Sequence, residues 1–125
     1  MSRARILLAD PNAAVLETLV DVLQPEFAVA GTVQSGAALL EEVQALNPDV
    51  VVLEVGMGDM TGFEVLRRLQ ARGCRSRYIF LSLYEGIEFV EASLKMGASA
   101  YVIKSSASSE LPAALRRVMQ REAVS

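Results

Sequence analysis

Two rhythms of hydrophobic and polar positions alternate along this chain. Short apolar runs, Ile6-Leu7-Leu8-Ala9, Val50-Val51-Val52-Leu53, Tyr78-Ile79-Phe80-Leu81 and Tyr101-Val102-Ile103, read as strands. Between them, apolar residues return every three or four positions, as on amphipathic helices. A strand whose apolar run has no polar interruption is one buried on both faces, which is typical of parallel sheets covered by helices.

The first strand spans about Arg5–Ala9 and is bounded by Asp10-Pro11. Val15, Leu16, Leu19, Val20 and Leu23 form the stripe of the first helix, and Pro25 stops it. The second strand, about Phe27–Val33, contains Gly31 and is expected at a sheet edge. Ser35 is placed to cap a second helix with the stripe Leu39, Leu40, Val43 and Leu46. Asn47-Pro48 ends that helix. The third strand, Asp49–Glu54, is the most hydrophobic and is expected at the centre. A glycine-rich loop, Val55 to Gly62, leads into a third helix with Phe63, Leu66 and Leu69 inward and Arg67, Arg68 and Arg72 outward. Gly73 suits its C-terminal cap. The fourth strand is about Arg77–Leu81 and the fourth helix about Glu85–Met96, with Ile87, Val90 and Leu94 as a weak stripe. After the fifth strand, Ala100–Ile103, the last helix turns Leu111, Leu115, Val118 and Met119 inward and Arg116, Arg117 and Arg121 outward. Strands alternating with helices predict parallel pairing through right-handed crossovers, in one α/β domain over residues 1–125.

Composition narrows the chemistry. A hydrophobic content of 52% and a charged content of 22% exclude a disordered chain. The net charge of −3 offers no overall attraction to nucleic acid or to an acidic membrane surface. Cys74 is the only cysteine, so an internal disulfide is impossible and a reducing, cytoplasmic setting is the natural expectation. The absence of histidine removes histidine triads and most catalytic zinc sites. No apolar stretch is long enough to span a bilayer or form a signal-peptide core.

Chemistry-bearing residues gather at strand ends. The first strand runs into Asp10, the third into Glu54, the fourth into Ser82 and the fifth into Lys104. In an open α/β sheet these ends share one rim, where ligands usually bind. A lysine ending a buried strand requires an anion: Glu54, Asp10 or a ligand. Other features have plainer readings. Gly56, Gly58 and Gly62 lack the spacing and the position of a dinucleotide fingerprint, and a tight turn accounts for them. Arg67, Arg68, Arg72, Arg75 and Arg77 read as a solvated face without interleaved aromatics. Cys74, although near arginines, has no accompanying base and reads as an incidental thiol.

Together these segments resemble the receiver domain of two-component response regulators, across essentially the whole chain. The first strand with Asp10 resembles the family's acidic first strand. Pro48 to Met57, followed by Gly62-Phe63-Glu64-Val65-Leu66, resembles the phospho-acceptor segment and its loop. Gly97-Ala98-Ser99-Ala100-Tyr101-Val102-Ile103-Lys104 is the most specific match. Proline often follows the lysine; here Ser105-Ser106-Ala107-Ser108-Ser109-Glu110-Leu111 is more similar to receivers that carry helix-turn-helix output domains. Without that proline, a cis bond after Lys104 is not expected. The resemblance implies a flavodoxin-like, doubly wound five-stranded sheet, order 2-1-3-4-5, with helices on both faces. It implies Glu54 at the acceptor position, Ser82 as switch hydroxyl, Tyr101 as switch aromatic and Lys104 in the phosphate pocket. Ser82 and Tyr101 would move together, or persist only as packing elements.

The chain also departs from the family. Receivers normally pair two acids after the first strand and use an aspartate after the third. Here Pro11 follows Asp10, Glu54 replaces the aspartate, and Gly58 stands where a loop proline is usual. Residual ligands for a metal are Asp10, Glu54 and Gly56, too few for the near-octahedral oxygen shell of Mg²⁺, whose binding is expected to be weak or lost. Glu54 is longer by one methylene, roughly 1.5 Å. Phosphoryl transfer depends on positioning and charge neutralisation, so both changes damage it. The longer carboxylate is expected to pair with Lys104, to accept a hydrogen bond from Ser82, and so to imitate part of a phosphoryl group. The imitation is incomplete, since a phosphate monoester carries about −1.5 to −2 charges.

The expected function is that of a non-enzymatic signalling module, an atypical receiver. Its implied partners are a histidine kinase, an output domain or another regulator. The implied contact face is the fourth helix, fifth strand and last helix, which could also form a homodimer, with no direct nucleic-acid or membrane contact. The rivals are a conventional receiver phosphorylated on Glu54, and a small nucleotide-binding or catalytic α/β domain.

Overall fold

A computed structural model describes residues 3–124, with side chains up to residue 120. Five strands form: β1 (Arg5–Ala9), β2 (Ala28–Val33), β3 (Val50–Leu53), β4 (Arg77–Ser82) and β5 (Ala100–Ile103). They alternate with α1 (Ala13–Leu23), α2 (Gly36–Leu46), α3 (Gly62–Ala71), α4 (Ile87–Lys95) and α5 (Ala107–Val124). All pairings are parallel, in the order β2-β1-β3-β4-β5, so the flavodoxin-like arrangement is the one expected. None of the described helices is long and apolar enough to cross a membrane.

Successive strand residues point to opposite faces, which sorts the core into two layers. Ile6 and Leu8 of β1 meet Leu16, Leu19 and Leu23 of α1 and Leu111, Leu115 and Val118 of α5. Leu7 and Ala9 meet Leu39 and Val43 of α2 and Val65, Leu66 and Leu69 of α3. Both faces being covered is why the β3 run is uninterrupted; its four residues are at most 1% exposed. Edge strand β2 slips register, with Ile6 opposite Val29 but Leu7 opposite Gly31. Bulges of this kind favour edges.

Helix starts follow cap chemistry. The Asn12 side chain accepts from the Ala14 and Val15 amides, Ser35 from Ala38, and Thr61 from Glu64. Gly73, after α3, has φ +74°, which suits glycine.

Helix α4 differs from its expected form. It starts at Ile87 rather than Glu85, and Ile87 and Leu94 are 67% and 49% exposed. The weak stripe does not face the core; Ser93 is the buried residue of α4, its hydroxyl donating to the Phe89 carbonyl. Helix α5 begins at Ala107, before its apolar stripe, and carries Pro112. Arg116 and Arg117 are exposed as expected, and Arg116 forms a two-pronged ion pair with Glu26. The outward position expected for Arg121 lies outside the described side chains.

Candidate functional site at the carboxyl-terminal rim

Parallel pairing carries four strand ends to one rim. Asp10 follows β1, Glu54 follows β3, Ser82 is the last residue of β4, and Lys104 begins a 3₁₀ turn after β5. Lys104 Nζ lies 2.9 Å from Glu54 Oε1 and forms a second, close ion pair with Asp10 Oδ2. These groups are removed from water: Asp10 is 1% and Glu54 6% exposed. Such charges persist only when paired and hydrogen-bonded. Asp10 Oδ1 accepts from the Asn12 amide at 2.9 Å, and Glu54 Oε2 accepts from the Val55 amide. All four carboxylate oxygens are therefore engaged within the protein. Burial pulls the Lys104 pKa down, but hydrogen bonds and charge from Asp10 and Glu54 outweigh it and hold the pKa above 10.5.

Ser82 is fully buried at the same rim, but its expected bond to Glu54 does not form. Its oxygen instead accepts from the Tyr84 amide at 3.2 Å. The β4 end turns back on itself there, and the Glu54 carboxylate is already held by Lys104 and its own neighbouring amide. Tyr101 is half-buried against the layer that includes Phe80 and Phe89, and its hydroxyl donates to the Tyr84 carbonyl at 2.6 Å. Burial raises the Tyr101 pKa; the nearby Ser82 hydroxyl opposes this, and the Glu54 charge adds to it. The Tyr84 ring stacks on Phe89 with centroids 4.7 Å apart.

The loop after Glu54 is tied down at several points. Gly56 forms an antiparallel bridge with Thr61, and the Gly62 amide donates to the Val55 carbonyl at 2.7 Å. A side chain at Gly62 would put Cβ 2.4 Å from the Glu54 carbonyl oxygen, so glycine alone allows this approach. Gly58 has φ +92°, a conformation closed to the proline usual in the family. Asp59 reaches α2, accepting from the Gly36 amide at 2.8 Å and the Ala37 amide at 3.0 Å. These bonds, Gly36 first, hold its pKa below the ordinary value of 3.8.

Pro11, exposed, contributes no side-chain donor to the rim. Among the described residues no group of three or more acids and cysteines could hold a metal ion. Three contributors were missed from the sequence: Asn12, Asp59 and Tyr84. Asn12 stands directly before an apolar helical stripe and was legible as a cap. Asp59 and Tyr84 act across 23 and 17 residues, and no local pattern announces them.

Residues 6–116 match the family described as response regulator receiver domain. The DNA-binding transcriptional activator DevR/DosR of Mycobacterium tuberculosis is 35% identical over 116 residues, covering 91% of this chain and 54% of that protein. The nitrate/nitrite response regulator protein NarL of Escherichia coli is 28% identical over 123 residues, covering 97% and 57%. The chain spans about half the length of these relatives. A two-component response regulator of the LuxR family from Aurantimonas superposes with a TM-score of 0.88 at 26% identity, covering 95% of this chain and 86% of that one. The response regulator domain of Thermotoga maritima CheB, 24% identical, shares the fold, with a TM-score of 0.86 over 94% of this chain and 97% of that one. With the fold, the rim and the family match in agreement, this chain belongs to the response regulator receiver domain family of two-component systems.

Proposed function

We propose that this receiver signals without phosphoryl transfer and without resident Mg²⁺, with Glu54 standing permanently in place of a phosphorylated aspartate. The observation that carries this reading is the buried Glu54–Lys104 ion pair at 2.9 Å. The lysine expected to meet a phosphoryl oxygen is already neutralised. A metal would have to displace Lys104 or a backbone amide from Asp10 and Glu54, and Pro11 replaces one ligand outright. Octahedral Mg²⁺ tolerates such compromises poorly.

The bond from Tyr101 to the Tyr84 carbonyl supports a domain held in one state, with the aromatic ring packed inward. Leu83, Tyr84 and Ile87 are exposed beside it, and an exposed apolar patch of this kind suits a protein partner. The partner is an output domain, a kinase or another regulator, and a second copy through α4, β5 and α5 is the homodimer form of the same contact. Several of its curated relatives are named as DNA-binding or transcriptional regulators, so a helix-turn-helix output is the effector that suits this receiver; the receiver itself leaves nucleic acid alone.

The test is intact mass after incubation with acetyl phosphate and Mg²⁺. The unmodified mass is expected. A phosphate adduct that disappears in Glu54→Gln would overturn the reading in favour of a phospho-accepting receiver.

A further inference from the structure

Helices α1 and α5 cover the same face of the sheet, but the seam between them is not filled near the Glu54 rim. A cavity of about 260 Å³ opens there, lined by Val15, Leu19 and Val22 of α1, Leu81 of β4 and Ala107 of α5. Ala14, Thr18 and Ser108 also line it. Leu19, Leu81 and Ala107 are buried whereas Ala14, Thr18 and Ser108 are exposed, so the cavity runs from the core to the surface. Interiors are normally close-packed, and a gap between two helices forfeits contacts that larger side chains would make. Small side chains leave this one open: Ala14 and Thr18, one turn apart on α1, and Ala107 and Ser108 on α5.

The walls decide what can enter. Among the described residues no acid lines the cavity, and Lys104 is the one cation that does. Its charge is already met by Asp10 and Glu54, and two carboxylates against one lysine leave the rim with a net negative charge. An anion would be repelled there. A cation would find both carboxylates already held by Lys104 and by backbone amides. Thr18 donates its hydroxyl proton to the Ala14 carbonyl at 3.1 Å. Among the described residues, no buried side-chain polar atom of these walls lacks a partner. Water is held only where several polar partners await it, and an apolar cavity of about 150 Å³ is already large enough for benzene.

We propose that this cavity binds a small uncharged molecule with an apolar body, the size of one substituted ring, seated between α1 and α5. Val15, Leu19, Val22 and Leu81 would take its surface out of water, which is the source of the affinity. A charged molecule of the same size gains less, because nothing on the walls replaces its hydration. An occupied cavity would brace α1 against α5 beside Lys104. The assignment does not depend on the chemistry at Glu54.

The test is methyl NMR titration of the whole chain with toluene, and with benzoate and benzylamine as charged molecules on the same ring. Saturable shifts are expected with toluene at Val15, Leu19, Val22 and Leu81, and weaker binding of both charged molecules. The double variant Ala14→Leu, Ser108→Leu fills the space from both helices at exposed positions that accept leucine, and should weaken toluene binding by about tenfold or more. Thr18→Val should bind toluene as wild type does, since that hydroxyl is spent on the Ala14 carbonyl. Toluene shifts that never saturate, that the double variant retains in full, or that Thr18→Val abolishes would overturn the proposal. So would tighter binding of benzoate or benzylamine than of toluene.

Discussion

Helices α3 and α4 pack on the same side of the sheet and have nearly the same length, 10 and 9 residues, yet they are held in opposite ways. Helix α3 buries Val65, Leu66 and Leu69 completely, starts at a Thr61 side-chain cap and carries a Glu64–Arg68 pair. Helix α4 buries only Ser93, starts at Gly86 without a side-chain cap, and turns Ile87 and Leu94 to solvent. Burying one aliphatic side chain is worth about 1.5–3 kcal/mol, so α3 is fastened by several such terms that α4 lacks. Weakly fastened elements open first, and elements that move in signalling come from that end of the scale. The two helices meet different ends of the rim: the Glu54 loop runs straight into α3, while the Tyr84–Tyr101 bond sits at the entrance to α4.

The strongest way to break this contrast is at the rim itself. Lys104→Ala leaves two buried carboxylates facing each other and should cost about 3–5 kcal/mol in urea unfolding. A loss under about 1 kcal/mol would mean that the rim is wet and that the ion pairs hold little. Next, Leu66→Ala in α3 should cost about 2–5 kcal/mol, while Ile87→Ala in α4 should stay within about 0.5 kcal/mol. Equal losses would erase the distinction between the helices.

A smaller effect tests the link between them. Tyr101→Phe removes the hydrogen bond to the Tyr84 carbonyl and should cost about 0.5–1.5 kcal/mol. Hydrogen exchange should quicken in α4 and not in α3; unchanged α4 exchange would detach Tyr101 from the control of that helix. The smallest effect is in pH. The folded pKa of Lys104 is raised above 10.5, so its contribution is complete below pH 10.5 and is lost as pH climbs through the folded value. The groups facing it are Asp10, Glu54 and, through Glu54, Tyr101. On the alkaline side the stability gap between wild type and Lys104→Met should therefore narrow only as pH climbs through the folded lysine pKa, and a gap that stays constant in strong alkali would contradict the assignment.

Much of the architecture was legible because it depends on local periodicity. Five strands follow from short uninterrupted apolar runs, the central and edge placements from the hydrophobicity of the third and Gly31 in the second, and the Ser35 cap from a hydroxyl just before an apolar stripe that returns every three or four positions. The meeting of Asp10, Glu54 and Lys104 was legible too, since parallel topology forces strand ends together. The partner of Ser82 was not. A hydroxyl at a strand end has several acceptors and donors in reach, and the choice went to the Tyr84 amide two residues away. The stripe on α4 misled because three apolar residues at helical spacing describe an apolar side, not what covers it. Only neighbouring elements can do that, and among the described residues none covers Ile87 or Leu94.

By itself, the sequence determined the fold class, the rim and the departure of Glu54 and Pro11 from the family pattern, since each rests on residue type and order. The tertiary structure alone decided that both acids share one lysine, that Asp59 latches the loop to α2, and that Tyr101 is tied to the Tyr84 carbonyl. Those contacts join residues far apart in the chain, and the geometry that selects them exists only once the sheet and its two layers have closed.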